Sequence, residues 1–334
     1  MKTILSALFI IVNFAFTCQA QDVRALVKEG LELNNARNYT GAIEKYKAAL
    51  QLEPDNAAAN YQLAFSLNAA GKGQEAIPYL QKVVQSNASA EVRSSAWGLL
   101  GGIYDQSKQA KYAIDSYQKG LQLDSASYAM HYGLGLAYFR DHQYAAAECS
   151  AINALRLDTR QADAFRLYGL VTFHQDKRIP ALMAFCRYLQ LQPNGVKSAE
   201  VYSNMQSILQ GGALKPEPGV ARPRPDANTV ALNQVITQSA TAMGTRRYAS
   251  ASDLLSAQLQ YIFNATGRLA QKQTGHNTFF KSLTDYYLQL AQTDHMAAFA
   301  RWLIQGTDKA AVAWLRAHPQ QVNAMEEWMK TNIH

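Results

Sequence analysis

Cysteine is scarce in this 334-residue chain: three in all, at positions 18, 149 and 186. Beyond the N-terminal stretch only Cys149 and Cys186 remain, too few for a disulfide-built scaffold; they read as separately buried thiols, with a single bridge as the alternative in an oxidising compartment. Charge of one sign is never concentrated. The 32 basic and 25 acidic side chains give a net +7 without a run of like charge, so nucleic acid is not an expected partner. Glycine-rich phosphate loops, Cys/His spacings suited to a metal and a Gly-x-Ser-x-Gly elbow are all lacking. No catalytic residue, metal site or cofactor is therefore expected.

Long hydrophobic runs are lacking too, except at the start. Lys2 precedes an apolar stretch from Ile4 to Phe16, and Cys18-Gln19-Ala20 follows. This pattern predicts a secretory signal over 1–20, hence an exported protein, periplasmic or secreted. Thr17 before Cys18 argues against lipoprotein attachment. No other segment approaches the ~20 apolar residues needed to span a bilayer. Proline is sparse but clustered: four of nine lie at 216, 218, 223 and 225. Residues 211–229 thus read as a Pro-rich linker.

What the chain does have is a period. Ala42, Ala76, Ala113, Ala147 and Ala181 are separated by 34, 37, 34 and 34 residues. Twelve residues before each stands a small residue: Gly30, Ala64, Gly101, Gly135 and Gly169. Helical apolar spacing on both sides of each interval makes every unit a helix, a short turn and a second helix. Glycine inside a helix costs about 1 kcal/mol relative to alanine. The expected return is close approach of the two helices, with Gly101 facing Ala113 at their crossing.

Around these markers recur Leu26, Gly30, Leu33, Ala42, Tyr46, Ala49 and Pro54, then Trp97, Leu100, Gly101, Tyr104, Ala113, Tyr117 and Gly120, then Phe165, Tyr168, Gly169, Ala181, Phe185 and Pro193. The pattern closely resembles the tetratricopeptide repeat (TPR). The resemblance implies an all-α, TPR-type α-solenoid over 21–210, with units 23–56, 57–90, 94–127, 128–161 and 162–195 and a capping helix at 196–210. The extra three residues of the long step fall between the second and third units. Pro180 fits the first turn of its helix, and Pro78 predicts a late helix start or a bend. After the linker, residues 230–334 form a second all-α region with helices at 230–243, 248–263, 277–292, 295–305, 308–317 and 320–330.

The resemblance also places certain first-helix positions on a concave face. Here these give Asn34, Tyr61, Phe65, Asn68, Tyr132, Phe139, Arg140, Arg166, Phe173 and His174 as the partner-binding groove, with a hollow at Gly98 and Gly102. Val27 and Leu31 replace the first polar positions of the clamp found in chaperone-binding TPR domains, so chaperone C-termini are not the expected ligand. The expected function is a non-enzymatic scaffold that takes a peptide or helical segment of another protein. Two alternatives stay open: an enzyme or enzyme subunit using Asp294, His295 and His276, and a self-assembling structural protein. Two placements of the C-terminal region also stay open, clear of the groove or folded over it.

Overall fold

The computed structural model describes residues 22–212, 224–272 and 278–332. The expected signal segment, residues 213–223 of the linker, and His276 lie outside the described residues. Those described are helical, with no strand among them. Two compact units result, Met1–Ala137 and Tyr138–His334.

In the first unit, α1 (22–35) is followed by α2 (Tyr39–Leu52), α3 (Ala57–Ala69), α4 (Gly73–Gln85), α5 (Ala90–Gln106), α6 (Ala110–Leu123) and the start of α7 (Tyr128–Arg140). Each helix starts where a polar side chain or a turn supplies the missing backbone partner. Asn38 Oδ1 accepts from Gly41 N at 3.0 Å and Asn56 Oδ1 from Ala59 N at 2.9 Å. Each such cap contributes about 1 kcal/mol. Buried Asn60 donates to the carbonyls of Pro54 and Asn56, closing the loop between the first two pairs. Helices pack as α3 with α4 and α5 with α6, while α2 lies on α3 and α4 on α5. Ala42, Tyr46, Leu63, Ala64, Ala76, Leu80 and Leu100 share one continuous core.

The second helices start in one register, at 39, 73, 110, 144 and 178. Pro78 therefore causes no late start; it sits inside α4 with its side chain exposed. The three extra residues are not a spacer either. They lengthen the front of α5, which begins at Ala90 under a Ser89 cap.

The turn inside each pair has its own period. Arg37, Gly71, Lys108, His142 and Asp176 all have φ between 58° and 77°. The next residue donates back five positions, as in Asn38 N to Leu33 O at 2.8 Å and Gln109 N to Tyr104 O at 2.9 Å. This left-handed closure satisfies carbonyls that the helix end leaves unpaired. Gly211 (φ 78°) closes α11 (Ser198–Leu209) in the same way.

The side chains nearest to three of the small residues are aromatic rings. A Cβ on Gly30 would strike Tyr46, on Gly101 Tyr117, and on Gly169 Phe185, at 2.5–2.7 Å. Each glycine thus lies under an aromatic ring sixteen residues on, four beyond its alanine. Where that slot holds Leu80 in place of a ring, the first helix carries Ala64.

The second unit holds the rest of α7, then α8 (Tyr144–Leu157), α9 (Ala162–His174), α10 (Arg178–Leu191), α11, α12 (Ala227–Gly244), α13 (Ala251–Lys272), α14 (Thr278–Ala291), α15 (Met296–Ile304), α16 (Lys309–Ala317) and α17 (Pro319–Thr331). All six expected C-terminal helices form. α13 runs nine residues past its expected end and includes Gly267, where a Cβ would strike Leu288 at 2.7 Å.

The expected boundary at 211–229 does not separate two folding units. α10 contacts α9 and α11 and also α12, α14 and α15, and every residue from Ile179 to Gln190 is buried. Specific bonds fix this cover. Tyr287 Oη donates to Met183 O at 3.0 Å, Trp302 Nε1 to Gln190 O at 3.1 Å, and Asn233 Nδ2 to Asp176 O at 2.7 Å. Both cysteines are free; Cys186 is buried as expected, but Cys149 is exposed.

Candidate interaction surface

In the first unit, Tyr61 and Phe65 stand one helical turn apart on α3 and so share a face. Phe65 is 42% exposed, unusual for so large an apolar ring. Tyr61 is half-buried. Burial raises its hydroxyl pKa, and a hydrogen bond with Ser95 on α5 opposes that shift. Asn34 Oδ1 accepts from Ser66 Oγ at 3.3 Å, which ties α1 to α3 beside this face. Asn68 is half-buried, and its Oδ1 lies about 3.0 Å from where a Gly73 Cβ would stand, so it turns toward the intra-pair turn. Farther along, a Cβ on Gly102 would meet only the Tyr117 hydroxyl, at 3.7 Å, which leaves room at that position. Tyr132 is half-buried and stacks on Tyr128, with centroids 5.9 Å apart.

The second unit contains the other five groove positions, and they are not alike. Phe139 is half-buried and sets its ring edge against His174 at 5.2 Å, while His174 stacks on Tyr144 at 4.9 Å. His142 reaches the Tyr144 hydroxyl at 3.1 Å. This aromatic group sits where α7 turns into α8. Tyr144 and His142 were missed in the sequence because they belong to the turn and the second helix. Arg140 is exposed.

Two expectations need correction. Phe173 is fully buried and packs edge-on against Phe185 at 6.4 Å, so it belongs to the core and not to a groove. It is preceded by buried Val171 and Thr172, so α9 is covered on more of its circumference than an end helix of a bare array would be. Arg166 is paired internally, its Nη1 3.3 Å from Glu200 Oε1, with Lys197 on the same carboxylate at 3.2 Å. α11 thereby satisfies the cation expected to meet a ligand.

The histidine-containing group proposed for catalysis is only partly described. His295 Nδ1 lies 3.3 Å from Asp294 Oδ1, and Asp294 is 97% exposed. Among the described residues no cluster of His, Cys, Asp and Glu is placed to hold a metal, and no helix is long and apolar enough to cross a membrane.

Comparison with known proteins agrees with this geometry. The family model Tetratricopeptide Repeats-Sensor matches residues 38–158. Human RNA polymerase II-associated protein 3 is 32% identical over 110 residues, which is 32% of this chain and 16% of that protein; the chain thus spans about a sixth of the relative it matches. Among solved structures, YrrB, described as a TPR protein with an unusual peptide-binding site, superposes with a TM-score of 0.50 at 18% identity over 57% of this chain and 97% of its own. A MamA structure gives a TM-score of 0.48 at 22% identity, over 54% of this chain and 96% of its own. The period, the helix pairs in register and the family match make residues 38–158 an array of tetratricopeptide repeats.

Proposed function

We propose that the protein is an exported, non-enzymatic scaffold that binds a peptide or helical segment of another protein on the first-helix face of its repeats. A protein-interaction role is what the TPR fold supports. The observation carrying the finer reading is Phe65, an exposed ring one helical turn from half-buried Tyr61, with an open position at Gly102 in the following repeat. Aromatic side chains give large contact area at low entropic cost and dominate binding hot spots. The peptide-binding site named for YrrB is in keeping with this reading. Export rests on the N-terminal pattern of Lys2, Ile4–Phe16 and Ala20.

The test is site-specific photocrosslinking from position 65, with exposed Tyr112 on α6 as the control position. A single polypeptide captured from position 65 and not from 112 supports the proposal. Tyr61→Ala and Phe65→Ala should each weaken retention of that polypeptide, Phe65→Ala by about tenfold, with helical circular dichroism unchanged. Equal capture from both positions, or retention untouched by both substitutions, would defeat it. Fractionation of the native source tests export separately.

A further inference from the structure

We propose that the second unit carries a site for a small organic carboxylate with an apolar or aromatic body, centred on Arg187. Nothing about this site depends on the repeat face described above.

The argument starts from a repeated position. Lys82, Lys119 and Arg187 occupy the same place in α4, α6 and α10. On α6, Lys119 is exposed and lies over the Trp97 ring at 4.9 Å. On α10, the corresponding Arg187 lies over Phe165 at 5.8 Å, and Phe165 fills the place of Trp97. The same cation–ring pair is thus built twice. The second copy has been covered by α14, whose Tyr286 ring lies 4.9 Å from the guanidinium on another side. Arg187 is only 4% exposed.

A buried guanidinium is costly unless paired with an anion. Among the described residues no carboxylate stands in ion-pair contact with Arg187. Its Nη1 donates to Gln190 Oε1 at 3.0 Å, and Gln190 Nε2 in turn donates to the Tyr286 hydroxyl at 2.8 Å. The Tyr286 hydroxyl also hydrogen-bonds Arg187; a guanidinium has five N–H donors, so some of its capacity is left over. Arg187 borders a cavity of about 640 Å³, within the size range of small-ligand sites.

The cavity has the two chemistries such a ligand needs. Leu155, Phe165 and Phe279 provide an apolar wall, and Arg156 adds a second cation at the edge, its Nη2 3.2 Å from Thr278 Oγ1. Asp285 also borders the cavity, but Lys281 neutralises it at 2.5 Å. A carboxylate accepts two parallel N–H bonds from one guanidinium. Its organic body would lie against the Phe165 and Phe279 rings, which pack on each other at 6.3 Å.

The experiment uses the full chain, with phenylacetate, indole-3-acetate and octanoate as probes and their neutral amides as controls, followed by calorimetry and ligand-observed NMR. At least one acid should bind saturably and tenfold or more tightly than its amide. Arg187→Gln should abolish that preference. Ser282→Trp, at an exposed cavity position on α14, should block binding while leaving Arg187 in place, which guards against loss of fold in the first variant. Binding by none of the three acids, equal binding of acid and amide, or unchanged binding in folded Ser282→Trp would overturn the proposal. In that case Arg187 serves only as a spacer between two rings.

Discussion

A β-carbon placed on Gly101 would stand 2.7 Å from the Tyr117 ring. Carbon atoms cannot approach that closely, so the ring or the helix must shift. Gly101→Ala should therefore destabilise the first unit by about 1–3 kcal/mol, although alanine is the better helix former. The pair Ala64 and Leu80 shows the permitted alternative in the neighbouring repeat. Gly101→Ala combined with Tyr117→Leu should recover part of the loss that the single changes sum to. Urea unfolding of the four-member cycle measures that coupling.

Lys108 adopts φ 59° at an exposed turn. The left-handed region costs a non-glycine residue roughly 1 kcal/mol, and Gly71 fills the equivalent turn one repeat earlier. Lys108→Gly should stabilise the protein by about 0.5 kcal/mol, the strain relieved being partly offset by the freedom glycine adds to the unfolded chain. A lower denaturation midpoint for this variant would contradict the account.

Arg301 is buried and rests on three partners: Asp253 Oδ1 at 2.6 Å, the Ala297 carbonyl at 2.9 Å and the Trp314 ring at 4.3 Å. The Ser250 hydroxyl and then Arg301 hold the Asp253 carboxyl below its usual 3.8. A depressed folded-state pKa adds stability that is present above the unfolded value and lost as pH falls through the folded one. Asp253→Asn should thus cost about 2–3 kcal/mol at pH 7, less than for a wholly buried pair because the carboxylate is a third exposed. Below pH 3.8 the gap between variant and wild type should close. Chemical unfolding at pH 7, 4 and 3 reads it directly.

Cys149 is exposed and Cys186 buried, with burial raising the Cys186 thiol pKa. Iodoacetamide acts on the thiolate. Mass mapping of the native protein should find position 149 alkylated and position 186 protected, with 186 modified only after denaturation. Early modification of Cys186 would mean that α10 is less covered than described.

Much of the helical plan was legible because a 34-residue period and the apolar spacing are local properties. Five pairs, the α11 cap and six later helices follow from them. What escaped depends on neighbours distant in sequence. Gly101 and Ala113 share the small-residue signal, while the ring that fills the space over Gly101 belongs to Tyr117, sixteen residues on. Phe173 reads as a groove residue until the added helices are considered. The segment at 211–229 reads as a divide because proline excludes helix locally. Nothing local announces that Asn233, Tyr287 and Trp302 bond to α9–α10 and their turn. Arg187 sits where Lys82 and Lys119 meet water, so only the cover supplied by α14 distinguishes it. The turn residues at 37, 71, 108, 142 and 176 were within reach, since they repeat with the same steps as the alanines, but a left-handed φ leaves little trace where the residue is not glycine.

The burial of α10 on every side also limits how the gene can change. Copying or deleting a helix pair near the N-terminus joins like to like, and the new junction inherits surfaces already shaped for one another. A chain cut after position 212 would instead lay bare Ile179, Leu182, Met183 and Phe185, and should self-associate more than the intact chain. Variation in repeat number among descendants of this protein is therefore expected upstream of α9, with the final pair inherited together with the helices that clothe it.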